Sequence, residues 1–280
     1  MLGAVLALAC SLTGGASDFL AGTSSRRIGT LQWMFATQLV GVALAGAWVA
    51  ISGDPLPPFA TLADATAAGF GLMVGLLAFF QAMVVGTISV VAPISATGVV
   101  IPIAAGIARG ERPSAAQAAG IVAAIAGVAL ASREPGQHST ATAESGLGLA
   151  LVAALGGGVF FWLMAPASRH GAAWPVFLAR AIPAVALVVV LRLRRTPLRP
   201  ALGRRTALTV LASSMLALVS TAAYAYATQH GRLAVVSVLG SLYPVVTVLL
   251  AYHVLGERVH GSRRLGVIAV LAGVVLLSAG

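Results

Sequence analysis

Two charged side chains lie inside long apolar runs of this sequence: Asp18, in Gly14-Gly15-Ala16-Ser17-Asp18-Phe19, and Arg180, in Ala179-Arg180-Ala181. An ionisable group within a membrane-spanning segment is expensive and marks a functional site by default. Asp18 reads either as a proton or cation site facing a cavity, or as a carboxylate hydrated near the interface beside Arg26 and Arg27. Arg180 reads either as a clamp that binds a carboxylate or phosphate bidentately, or as a structural arginine bonding backbone carbonyls between helices. Aligning Phe35 with Phe177 sets Gln38 opposite Arg180, a few residues from the midplane on either side, so both are expected to face one cavity. At ~1.5 Å rise per residue, Asp18 and Arg180 are too far apart in depth for a direct ion pair.

Breaks in the apolar helices form a second class of candidate. Pro93, Ser95, Ala96, Thr97, Gly98 and Pro102 interrupt one run, and Gly240, Ser241, Tyr243 and Pro244 interrupt another at corresponding depth. Proline frees carbonyls that need partners, which is tolerated where the break lines a cavity or packs on protein. Recurrence in both halves favours cavity lining over a packing kink. Trp162, Tyr224 and Tyr243 lie far enough in to stack on a substrate, whereas Trp33, Trp174 and Tyr226 read as interfacial or packing residues. The expected substrate-binding set is therefore Asp18, Gln38, Thr97, Trp162, Arg180, Tyr224 and Tyr243.

Other chemistry is not expected: no catalytic group, no metal and no cofactor. His253, Glu257 and His260 have the spacing of a metal site, but Gly256 and Gly261 place them in a wet loop. With no lysine there is no Walker loop, which excludes an ATP-driven pump within this chain. No Gly-x-Ser-x-Gly elbow occurs, and the lone Cys10 has no intrachain disulfide partner.

Membrane helices must position these residues. The apolar fraction of 59% and charged fraction of 9% lie far from a soluble domain, and runs of spanning length recur from end to end. Ten spans are expected, at roughly 2–22, 31–51, 65–85, 88–108, 114–131, 146–164, 174–193, 206–227, 234–255 and 264–279. The first is expected to be a retained helix, since it lacks the basic start and small-residue cleavage site of a signal peptide. Gly110-Glu111-Arg112 is followed by Gly120 and Gly127 as Gly256-Glu257-Arg258 is by Gly266 and Gly273. Further matches pair Gly86 with Gly231 and Gly14-Gly15-x3-Phe19 with Gly156-Gly157-x3-Phe161. One half repeats the other. The reading is an all-α integral membrane protein with units at 1–131 and 146–280, joined by a polar linker at 132–145. Five spans per unit oblige the second unit to cross from the opposite side. The result is a pair of inverted repeats, with a substrate site near the midplane where they meet, as in secondary transporters.

The net charge of +10 sits in short loops, which fits cytoplasmic loops and not a nucleic-acid partner. Loops after odd-numbered spans are the richer in arginine, which would put both termini outside. Exclusive use of arginine over lysine, with abundant alanine, reads as GC-rich coding and a bacterial inner-membrane protein. Gly71-x3-Gly75 reads as close helix packing, within the chain or in a homodimer.

These features resemble the EamA-like branch of the drug/metabolite transporter superfamily. The likeness rests on Gly14-Gly15-x-x-Asp18-Phe19, Ala179-Arg180, Pro244 and the doubled Gly-Glu-Arg turn before a Gly-x6-Gly helix. It implies ten helices around a central cavity and secondary transport, often export, of small metabolites such as amino acids. Gln38 stands where the family pattern often has arginine, and family members have cytoplasmic termini, against the charge count. A channel, a lipid scramblase or a multidrug exporter of the same fold is the alternative reading.

Overall fold

The computed structural model describes residues 2–86, 91, 94–108, 114–116, 118–120, 122–123, 126, 140–195, 203–231, 233–255 and 261–279. They form α1 (Leu2–Ile28), α2 (Thr30–Ser52), α3 (Phe59–Val85), a 3-10 turn (Thr97–Val99) running into α4 (Val100–Ala108), α5 (Thr140–Ala167), α6 (Ala173–Leu193), α7 (Arg204–His230), α8 (Leu233–Gly240), α9 (Tyr243–Leu255) and α10 (Gly261–Ala279). No strand occurs among the described residues. In hydrocarbon every backbone polar group must be satisfied within its own segment, which leaves helices as the available form. Six of them, α1 to α3 and α5 to α7, are long and apolar enough to cross a membrane. Their outward faces carry Leu8, Leu12, Leu39, Leu155 and Val185, suited to lipid.

Positive-φ glycines make the tight reversals. Gly29 (φ +88°) joins α1 to α2 in one residue, and Gly53 (φ +65°) caps α2 in the left-handed conformation that a Cβ disfavours. Repeat alignment makes α5, α6 and α7 the equivalents of α1, α2 and α3. The main helix packings respect that equivalence: α1 packs on α7, α5 packs on α3, and α2 packs on α6. Exchanging the halves leaves this set of pairs unchanged. All three crossings are antiparallel: Gly3 meets His230 while Ser17 meets Ser213, Gly75 meets Gly157 while Gly146 meets Val85, and Gly46 meets Phe177 while the Asp54 carbonyl accepts from Trp174.

The two equivalent seams are held differently. Between α1 and α7, Ser17 donates to the Ser213 carbonyl (3.0 Å), Ser213 to that of Ser17 (3.3 Å), and Ser220 to that of Cys10 (2.9 Å). Between α3 and α5 the backbones touch: a Cβ on Gly156 would lie 2.5 Å from the Gly75 nitrogen and 2.6 Å from the Gly71 oxygen. Gly71-x3-Gly75 thus serves a contact within the chain.

The expected ninth span is two helices, α8 and α9, separated by a turn at Ser241–Leu242. Pro244 has no N–H to offer the Gly240 carbonyl. Ser11 of α1 supplies the missing donor, its hydroxyl lying 2.9 Å from Gly240 O and also on Leu239 O. α5 begins at Thr140 and α3 at Phe59, each earlier than the apolar runs predict. Pro93, both Gly-Glu-Arg turns, Glu257, His260 and most of the expected fifth span lie outside the described residues.

Candidate functional site

A cavity of about 120 Å³ lies where the two halves meet. α1 and α7 form one wall, with Cys10, Gly14, Ser17 and Asp18 from the first and Ala217, Ser220, Thr221 and Tyr224 from the second. α3 and α5 form the other, with Leu72, Gly75, Leu76 and Phe79, and Ala153, Gly157, Phe160 and Phe161. Ser95, Arg180 of α6 and Tyr243 at the head of α9 complete the lining.

Arg180 is 7% exposed and reaches across from α6 to α7 and α2. Its Nη2 donates to the Ala217 carbonyl and to Thr221 Oγ1 (2.6 Å), and Nη1 donates to Gln38 Oε1 (3.5 Å). Thr221 Oγ1 in turn donates to Ala217 O at 2.9 Å. The arginine's Nε and the Gln38 Nε2 are buried with no hydrogen-bond partner. Gly41 makes room for the arm: a Cβ there would stand 3.1 Å from Arg180 Cδ. Arg180 therefore does what the structural reading describes, bonding a backbone carbonyl between helices, while also lining the cavity.

Asp18 lines the same cavity, and no hydrogen bond or ion pair of its carboxylate occurs among the described residues. The lack of an ion pair with Arg180 agrees with the depth argument. Tyr224 is fully buried; its hydroxyl lies 2.8 Å from the Phe161 carbonyl and 2.9 Å from Ser237 Oγ, and its ring meets Phe161 edge-on at 4.8 Å. Tyr243 stacks obliquely on Phe161 at 6.4 Å, and its hydroxyl makes no hydrogen bond among the described residues.

Of the seven residues expected from sequence, the structure brings Asp18, Arg180, Tyr224 and Tyr243 to the cavity. Gln38, 2% exposed, sits behind Arg180 and touches it without lining the space. Thr97 turns its hydroxyl onto the Ile94 carbonyl (2.7 Å). Trp162 lies outside the lining, its indole N–H buried and unpartnered. His253 is exposed, and no metal-ligand cluster occurs among the described residues.

Sequence reasoning passed over the third span and took only Tyr224 from the eighth, although each supplies four lining residues. The signal was present. Pairing Gly86 with Gly231 sets an offset of 145, and adding it to Leu72, Gly75, Leu76 and Phe79 gives Ala217, Ser220, Thr221 and Tyr224. On α1 and α5 the offset is 142, the separation of Gln38 and Arg180, and it pairs Asp18 with Phe160. All four lining positions thus coincide between α3 and α7, while on α1 and α5 only the Asp18–Phe160 pair does.

A model of the EamA-like transporter family matches residues 1–133 and again 144–279. Among solved structures, a crystal structure described only as that of a protein aligns over 99% of this chain and 96% of its own, with a TM-score of 0.72 and 17% identity. That is a likeness of fold. No protein of curated function matches the chain.

Proposed function

Since the chain belongs to the EamA-like transporter family, and with it to the drug/metabolite transporter superfamily of multi-pass membrane transporters, we propose that it is a secondary transporter moving a small polar or amphipathic metabolite, an amino acid or a solute of like size, outward by alternating access. Family membership points to a transporter and not to an enzyme. We read ten spans in two inverted five-span units. The antiparallel crossings support this: α1 and α3 run the same way, α5 runs against α3, and so α1 and its equivalent α5 oppose each other. Units at 1–131 and 146–280 remain our division, with a bacterial inner membrane as the location.

The carrying observation is the unpaired Asp18 carboxylate in a cavity built equally by both halves. A charge kept in such a place without a hydrogen bond or ion pair among the described residues, with the Arg180 charge acting on it only from across the cavity, is completed by cargo or by a proton. Tyr243 and Tyr224 flank the cargo, while Arg180, fixed by Gln38, Thr221 and Ala217, shapes the charge of the site. Rocking of one half against the other exposes the cavity to each side in turn.

The test is counterflow in proteoliposomes preloaded with a panel of unlabelled metabolites, comparing wild type with Asp18→Asn. Saturable exchange of one solute class, lost in the variant, is the expected result. Folded protein that exchanges nothing, or that conducts ions or scrambles lipid without saturable flux, overturns the carrier reading.

A further inference from the structure

The polar wall of the cavity is a wall of acceptors, and we propose that the cargo is a protonated amine bearing one apolar group about the size of an aromatic ring, and no carboxylate. This narrows the transporter reading above and rests on it. The argument follows where the protons point. Ser17, Ser95, Ser220, Thr221 and Tyr224 all lie on the lining, and each hydroxyl is within 3.0 Å of a backbone carbonyl that takes its proton. With the proton spent, each can meet a ligand only through a lone pair, and at Thr221 one lone pair already accepts from Arg180 Nη2. Arg180, the lining's one permanent cation among the described residues, spends its Nη groups on the Ala217 carbonyl, Thr221 and Gln38, and its Nε is sealed from the cavity. A carboxylate arriving here finds only one Arg180 Nη1 N–H and the Tyr243 hydroxyl still free to donate, and it meets Asp18 at close quarters.

An ammonium group meets the opposite situation. It brings three donors and no acceptor, and it finds a carboxylate with no protein partner together with the free hydroxyl oxygen of Tyr243. The facing wall takes the rest of the molecule: Leu72, Leu76, Phe79, Phe160 and Phe161 offer only hydrocarbon and ring. Size sets the last limit. An apolar cavity of about 150 Å³ accepts benzene, and the 120 Å³ here is smaller, so the apolar group is at most a single ring or a branched chain of less bulk.

Three probes with the same ring separate the possibilities: phenethylamine, phenylalanine and 3-phenylpropionate, titrated calorimetrically into the full chain in lipid nanodiscs. Phenethylamine is expected to bind at least about 10-fold more tightly than phenylalanine, and 3-phenylpropionate not to bind. Asp18→Asn should weaken the amine by about 10- to 100-fold, the loss of one charge-assisted contact, and Tyr243→Phe by a smaller factor. Equal or tighter binding of phenylalanine overturns the inference, as does unchanged amine affinity in folded Asp18→Asn. If none of the three binds while another solute shows saturable counterflow, this inference falls and the transporter reading stands; if counterflow is absent as well, both fall.

Discussion

The two walls of the cavity occupy equivalent positions of the repeat and carry opposite chemistry. Ser220, Thr221 and Tyr224 on α7 answer to Gly75, Leu76 and Phe79 on α3, and Asp18 on α1 answers to Phe160 on α5. The seams behind the walls differ in the same sense. One is stitched by serine hydroxyls onto carbonyls, the other closed by glycine backbones at contact distance. A repeated frame supplies a symmetric space, and four or five substitutions turn it into an amphipathic one. The apolar wall packs tightly because it carries little side chain at its crossing. Its polar counterpart gives up some of that closeness for groups that can hold a charge.

The sharpest break in this comparison is at the glycine seam. Gly156→Leu should abolish folded, monodisperse protein, because the added atoms meet the Gly75 and Gly71 backbones at 2.5 and 2.6 Å, where neither can move aside. Gly157→Ala, one residue on, has nothing within 4 Å of the new methyl; it should fold normally and merely shrink the cavity. Comparing yield and thermal midpoint of the two variants checks both.

On the polar wall the largest functional loss is expected from Asp18→Asn, with counterflow down by about 10- to 100-fold and the thermal midpoint unchanged or higher, since an unpaired charge is removed. Arg180→Ala should invert that pattern. It leaves Gln38 Oε1 buried without its donor, costing about 1–3 kcal/mol, so unfolding shifts by several degrees while amine affinity changes less than in Asp18→Asn. A larger effect on binding than on stability would show Arg180 to be a direct substrate ligand. The smallest effects should come from giving the apolar wall its equivalents' residues. Leu76→Thr is expected to reduce affinity for phenethylamine only a few-fold, about 1 kcal/mol of lost apolar contact, and to leave methylammonium unaffected in competition assays.

Much of the frame was legible in the residues. Charge within an apolar run marks Asp18 and Arg180, and the Phe35–Phe177 register sets Gln38 opposite Arg180, though facing the cavity and not packed behind the arginine as the structure has it. The break at Gly240–Pro244 was legible because proline removes a donor whatever surrounds it. Leu72, Leu76 and Phe79 were not. In a membrane helix, apolar side chains face lipid, core and cavity alike, so hydrophobic pattern cannot say which way they point. Thr97 and Trp162 failed to reach the lining for a related reason: depth along a helix was readable and rotation about its axis was not. Thr97 also has a local acceptor one turn back, on Ile94, which a sequence does not weigh against a distant cavity.

Gln38 and Arg180 are equivalents, and they touch. On our reading of two inverted repeats, a position that meets its own counterpart lies on their pseudo-two-fold axis. Were the halves separate, identical subunits, that axis would force like against like: two arginines repelling at close range, or two glutamines with no charge between them. Joining the halves in one polypeptide lifts the constraint, so that a cation can sit against a carbonyl at a place where symmetry alone permits only self-pairing. The contact is thus a small measure of what fusion makes possible, an interface whose two sides are free to diverge.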